Sequence, residues 1–131
     1  MFQVILLAED DPALRKFVIA SLERENFIVF AACNGAEALQ VCRNIVNVDV
    51  LLTDVCLGDS LNGIELAERV MKEKPGTKVL VMSGFPETEI EAAEKHLPFL
   101  RKPFTNEDLT ERVRKVLKIP AQSETKPERI S

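Results

Sequence analysis

Long apolar runs are missing from these 131 residues. A membrane-crossing helix needs about 18 apolar residues in a row, so no such helix is expected. The start, Phe2-Gln3-Val4-Ile5-Leu6-Leu7, is apolar but carries no basic leader and runs into Glu9, Asp10 and Asp11. It reads as a short buried strand rather than a signal peptide. Cysteine is scarce. Cys33, Cys42 and Cys56 are an odd number with no C-x-x-C spacing, which argues against a zinc site or a disulfide framework. Reduced thiols in a cytoplasmic compartment are the simpler expectation, with Cys33 and Cys42 as small packing residues. Basic excess is absent too. A net charge of −4 makes direct nucleic-acid binding a poor fit. Histidine occurs once, His96, at a predicted helix end before Leu97-Pro98. It reads as an exposed bystander rather than a phosphorelay histidine.

What is present is 46% hydrophobic and 29% charged, enough for one globular domain with one core. Apolar runs of strand length alternate with helix-period segments. The predicted strands are Val4–Ala8, Phe27–Ala32, Val48–Thr53, Lys78–Met82 and Leu97–Leu100. The predicted helices are Pro12–Arg24, one opening at Asn34-Gly35, Asn62–Lys74, Pro86–Lys95 and Thr105–Lys118. Asp11 and Pro12 mark the first helix start, Asn34 and Glu37 stand at capping-box spacing, and Thr105 reads as a cap. Strands apolar on both faces require helices on both sides of a parallel sheet. The expected fold is therefore α/β: one doubly wound, flavodoxin-like, five-stranded parallel sheet of order 2-1-3-4-5 with five helices. It occupies residues 1–119. Pro120 is expected to end the last helix, and residues 120–131 read as a flexible polar tail or linker stub.

In such a fold, ligands bind beyond the carboxyl ends of the strands. Strand one delivers Glu9-Asp10-Asp11 there, strand three Thr53-Asp54, strand four Ser83-Gly84, and strand five Arg101-Lys102-Pro103. Clustered carboxylates repel one another unless a cation or protons are present. An all-oxygen set of this kind suits magnesium, which takes one or two carboxylates plus phosphate oxygens. A carboxylate can attack phosphorus to give an acyl phosphate. That transfer needs mainly positioning and charge neutralisation. A lysine supplies further positive charge, and a serine hydroxyl can donate to a phosphoryl oxygen. Asp11 reads as a helix cap only.

The segments Ile5-Leu6-Leu7-Ala8-Glu9-Asp10-Asp11-Pro12, Leu51-Leu52-Thr53-Asp54-Val55, Val81-Met82-Ser83-Gly84 and Leu100-Arg101-Lys102-Pro103-Phe104 resemble the receiver domains of two-component response regulators. Each motif alone is weak; four in order at strand ends form a strong joint signal. The resemblance covers roughly residues 3–118. It implies Asp54 as phosphoacceptor, and Glu9, Asp10, Asp54 and the backbone carbonyl of Cys56 as Mg2+ ligands. It implies Ser83 as the switch hydroxyl, Lys102 as the phosphoryl-pairing lysine with a cis bond before Pro103, and Phe99 as the aromatic switch. It implies a sensor histidine kinase or histidine phosphotransfer protein as donor. The output partner, or a homodimer, would use the helix 4–strand 5–helix 5 surface, without membrane or nucleic acid. Such a domain is a signalling phosphoacceptor that assists its own phosphorylation and dephosphorylation, not an ordinary enzyme.

Some residues depart from the commonest pattern. Glu9 stands where aspartate is more frequent. Leu57-Gly58 replaces a residue followed by proline, and Asp59–Gly63 is one residue longer than the commonest loop. Phe99 cannot donate a hydrogen bond as tyrosine could. The resemblance implies that the side chains at Cys56 and Phe85 flank the path of attacking water; neither can guide it, so slow hydrolysis of the phosphoryl group is expected. Three alternatives compete. An aspartate-nucleophile phosphatase needs a second acid where Cys56 stands. A flavodoxin-like cofactor binder would be repelled by Glu9-Asp10-Asp11. A receiver-like interaction module would never be phosphorylated.

Overall fold

The computed structural model describes residues 2–58 and 61–118. The expectations for the 120–131 tail, for Pro120 and for part of the Asp59–Gly63 loop fall outside the described residues.

Strands and helices alternate: β1 (Val4–Ala8), α1 (Pro12–Arg24), β2 (Ile28–Ala32), α2 (Gly35–Asn44), β3 (Val50–Asp54), α3 (Gly63–Glu73), β4 (Lys78–Ser83), α4 (Pro86–Glu94), β5 (Phe99–Arg101) and α5 (Asn106–Leu117). The strands form one parallel sheet in the order β2-β1-β3-β4-β5. Side chains alternate across a strand, and β1 shows why two cores result. Ile5 and Leu7 face a cluster with Val18 and Leu22 of α1 and Leu109 and Val113 of α5. Leu6 and Ala8 face the other cluster, with Ala38 and Leu39 of α2, Ile64 and Leu66 of α3 and Ala92 of α4. All five residues of β3 are buried, as expected for a central strand covered on both sides.

Helix starts follow the local chemistry. The Asp11 carboxylate accepts from the Ala13 N–H at 3.0 Å. At α3, Asn62 and Glu65 form a full capping box, and Thr105 with Asp108 forms another at α5. At α2 the box is only half made. Asn34 accepts from the Glu37 N–H, but the Glu37 carboxylate takes the N–H of Cys33 instead.

Two strands begin two residues later than expected, β3 at Val50 rather than Val48 and β5 at Phe99 rather than Leu97. The Leu97 N–H closes α4 on the Ala92 carbonyl, and Pro98 has no N–H to give the ladder. The last helix ends at Leu117, with Lys118 in the left-handed region at φ 60°, so α5 stops before Pro120. Cys33 also departs from expectation: it is exposed rather than packed, while Cys42 is buried. His96 is exposed at the end of α4, as expected.

Candidate functional site

The sheet order reverses direction at β1, which has β2 on one side and β3 on the other. A crevice opens beyond the strand ends at such a switch point. Register places the acids there. Ala8 pairs with Thr53, so Glu9, one residue beyond β1, lies beside Asp54, the last residue of β3. Ligand oxygens of Glu9, Asp10 and Asp54 all lie within 4.8 Å of one another. Glu9 is fully buried, Asp54 is nearly so, and Asp10 is exposed.

Lys102 arrives from the far edge. Ser83 pairs with Arg101, and the Lys102 N–H donates to the Ser83 carbonyl at 2.8 Å. The Lys102–Pro103 peptide is cis. The ammonium donates to Asp54 Oδ2 at 3.0 Å and to Glu9 Oε1 at 3.4 Å. The other Asp54 oxygen accepts from the Cys56 N–H at 3.3 Å, and the other Glu9 oxygen accepts from the Asp11 N–H at 3.0 Å. Arg15, on α1, donates to the Glu9 carbonyl at 2.9 Å and holds the acidic turn.

Electrostatics follow from this packing. Burial pushes the Glu9 carboxyl above its ordinary pKa. The Asp11 N–H pulls it down, the Asp54 charge pushes it up and the Lys102 charge pulls it down, with burial prevailing. Burial works against the Lys102 charge, yet the bond to Asp54 and the charges of Asp54 and Glu9 prevail and raise its pKa. The Cys56 thiol, though exposed, is held up by partial desolvation and by the Asp54 charge.

Glu9, Asp10, Asp54 and Lys102 are thus brought together. Ser83 is buried at the end of β4, and its hydroxyl lies 2.9 Å from the Phe85 carbonyl and meets the Thr88 hydroxyl. Phe99 is half-buried against the core cluster beneath α2, α3 and α4. Its carbonyl accepts from Arg112. Cys56 is exposed.

Gly63 is a site residue that the sequence reading passed over. A Cβ there would stand 2.0 Å from the Asp54 carbonyl oxygen and 2.9 Å from Thr53 Oγ1. The Gly63 N–H donates to the Val55 carbonyl at 2.8 Å. The start of α3 therefore presses directly on the backbone that carries Asp54. A glycine at the first position of a helix is the only signal, and it does not distinguish close approach from an ordinary turn.

This arrangement can hold a hard cation between carboxylates and present an oxygen nucleophile beside an ammonium. The family model for the response regulator receiver domain matches residues 5–114. The chain belongs to the response-regulator receiver-domain family. This receiver domain is 34% identical over 116 residues to the response regulator receiver protein CpdR of Brucella abortus, covering 86% of this chain and 95% of that one. It is 30% identical over 120 residues to the sensor kinase CckA of the same organism, covering 86% of this chain but 12% of that protein. Among solved structures, it resembles a CheY-like receiver domain protein from Methanospirillum hungatei, with 26% identity and a TM-score of 0.81 over 90% of this chain and 95% of that one. Chemotaxis regulator CheY4 of Vibrio cholerae gives 25% identity and a TM-score of 0.80, over 89% and 100%. The five-stranded order and five helices are those expected of this fold. Among the described residues, no helix is long and apolar enough to cross a membrane.

Proposed function

We propose that this receiver domain accepts a phosphoryl group on Asp54. The observation that carries the reading is the convergence of Glu9, Asp10 and Asp54 on one point, with the Lys102 ammonium 3.0 Å from Asp54. An oxygen of Asp54 attacks phosphorus, the new O–P bond forms, and the P–N bond to a donor histidine breaks. The leaving imidazole recovers its nitrogen lone pair, giving an acyl phosphate on Asp54. Lys102 pairs with the transferred group and offsets its charge.

The acidic cluster fits Mg2+: its donors are all oxygen, two are well buried, and one, Asp10, faces water. The holding residues are Glu9, Asp10, Asp54 and the Cys56 carbonyl. When bound, the ion supplies charge neutralisation for the oxygens around phosphorus.

Ser83 and Phe99 carry the signal outward. A phosphoryl group brings several acceptor oxygens, one of which a relocated Ser83 hydroxyl can satisfy. Phe99 repacks as that hydroxyl moves, and the α4–β5–α5 surface changes its partners. The donor is a sensor histidine kinase or a histidine phosphotransfer protein, in the cytoplasm. The relative named as a sensor kinase supports the link to kinases. The output partner, or a second copy, meets the α4–β5–α5 surface. The domain occupies residues 1–119, in line with the family match to 5–114.

Two competing readings are weaker on specific residues. An aspartate-nucleophile phosphatase needs a general acid where exposed Cys56 stands. A module that is never phosphorylated has no use for three converging carboxylates and a paired lysine. The test is incubation with magnesium and acetyl phosphate, read by intact mass. One added phosphoryl mass, lost in Asp54→Ala and blocked by EDTA, is the expected result. No added mass in the folded, magnesium-loaded protein overturns the reading.

A further inference from the structure

The first turn of α4 carries a device that the phosphoacceptor reading does not use. Phe85 is its cap residue, and no side chain caps the helix there. The Phe85 carbonyl instead collects four donors. The Thr88 N–H lies at 3.1 Å, the Glu89 N–H at 3.2 Å, the Ser83 hydroxyl at 2.9 Å and the Thr88 hydroxyl at 2.8 Å. A carbonyl oxygen has two lone pairs, so this one is oversubscribed. The Ser83 and Thr88 hydroxyls also meet each other. They have two protons between them and make three contacts, so the three cannot all be full hydrogen bonds.

One arrangement satisfies most of the groups: Ser83 donates to the Thr88 oxygen, and Thr88 donates to the Phe85 carbonyl. We propose that Thr88 is the positioning residue that holds the Ser83 hydroxyl in its resting place and so sets how readily Ser83 turns to a phosphoryl group on Asp54. This rests on the phosphoacceptor reading above. When Ser83 leaves, the Phe85 carbonyl keeps Thr88 and the two backbone donors, so no buried acceptor is orphaned. Thr88 is only half-buried, so water can serve its freed lone pair. The hold therefore costs one neutral hydrogen bond to release. A charge-assisted bond to a phosphoryl oxygen outweighs that.

Removing the Thr88 hydroxyl leaves Ser83 with only the crowded carbonyl. The bond from Thr88 to Phe85 is available in both states, so its loss cancels. The resting state alone is weakened, and the equilibrium moves toward the engaged state.

The test is a titration with beryllofluoride at fixed magnesium, followed by fluorine NMR. Its beryllium and fluorides stand for the phosphorus and oxygens of the phosphoryl group. Thr88→Val, which keeps the shape but not the hydroxyl, binds about fivefold more tightly than wild type, the equivalent of one neutral hydrogen bond. Thr88→Ser binds as wild type does. In a Ser83→Ala background, Thr88→Val has no effect. Unchanged or weaker binding by Thr88→Val overturns the proposal, as does a gain that persists without Ser83. Either result with a wild type that binds leaves the phosphoacceptor reading standing. A folded wild type that fails to bind overturns both.

Discussion

The Lys102 ammonium sits between two carboxylates, 3.0 Å from Asp54 Oδ2 and 3.4 Å from Glu9 Oε1. It is brought there by a residue pair, Ser83 with Arg101, at the end of the last sheet ladder. Without it, Glu9, fully buried, would have, among the described residues, only the Asp11 N–H bonded to its carboxylate. Lys102→Gln is therefore expected to slow phosphorylation of Asp54 by acetyl phosphate about 100-fold, the scale of losing one charge-stabilising donor. The rate of mass gain measures it. A rate within a few-fold of wild type would remove Lys102 from the chemistry.

Glu9 gives a pH prediction with a fixed sign. Burial raises its folded pKa above the ordinary 4.5, so between those two values the folded state binds more protons than the unfolded one. Stability from this group then falls as pH rises. Lys102, also raised, contributes stability that is complete below its ordinary 10.5 and is lost only as pH climbs through its higher folded value. In the absence of metal, wild type should lose stability relative to Glu9→Gln as pH rises above 4.5 toward the raised folded value. Urea denaturation at several pH values measures the difference. A difference that moves in favour of wild type as pH rises would contradict the assigned environment.

Gly63 predicts a steric effect. In Gly63→Ala, the new methyl meets the Asp54 carbonyl oxygen at 2.0 Å, and the obstacle is backbone rather than a flexible side chain. Destabilisation of about 3 kcal/mol or more is expected from such overpacking, together with slower phosphorylation as Asp54 is displaced. Denaturation of Gly63→Ala measures the first effect. A neutral substitution would show that α3 can retreat freely from β3.

Most of the fold was legible because its signals are local. The periodicity of α1 and β1, the proline at Pro12 and the caps at Asp11 and Thr105 act within a few residues of themselves. The site was legible because four strand ends each carried a short polar motif. Four features were not. The late start of β5 depends on which donor closes α4. The exposure of Cys33, whose N–H is taken by Glu37 at 2.6 Å, has no marker in the sequence. The role of Gly63 depends on the approach of α3 to β3, and the partner of Ser83 on how the first turn of α4 folds back over Phe85. Only the approach of α3 to β3 is a contact between elements; the others are choices among competing local partners, which residue spacing does not encode.

The surroundings of Asp54 also predict persistence. Cys56, whose N–H bonds to Asp54, and Phe85, two residues beyond Ser83, are both exposed, and neither side chain can draw or orient a water as a carboxylate or amide would. The acyl phosphate should hydrolyse slowly in the purified domain, and Phe85→Glu should shorten its life. Decay of the phosphorylated mass after removal of phosphodonor measures it. Rapid decay in wild type, unchanged by Phe85→Glu, would contradict the assignment.

The central claim concerns one oxygen of one residue, and borohydride tests it most directly. Borohydride reduces an aspartyl phosphate to homoserine and leaves free carboxylates untouched. After treatment with acetyl phosphate and magnesium, reduction and peptide mapping should place homoserine at position 54. Phosphoryl mass without homoserine there, or phosphate found on Ser83 or His96, would contradict it.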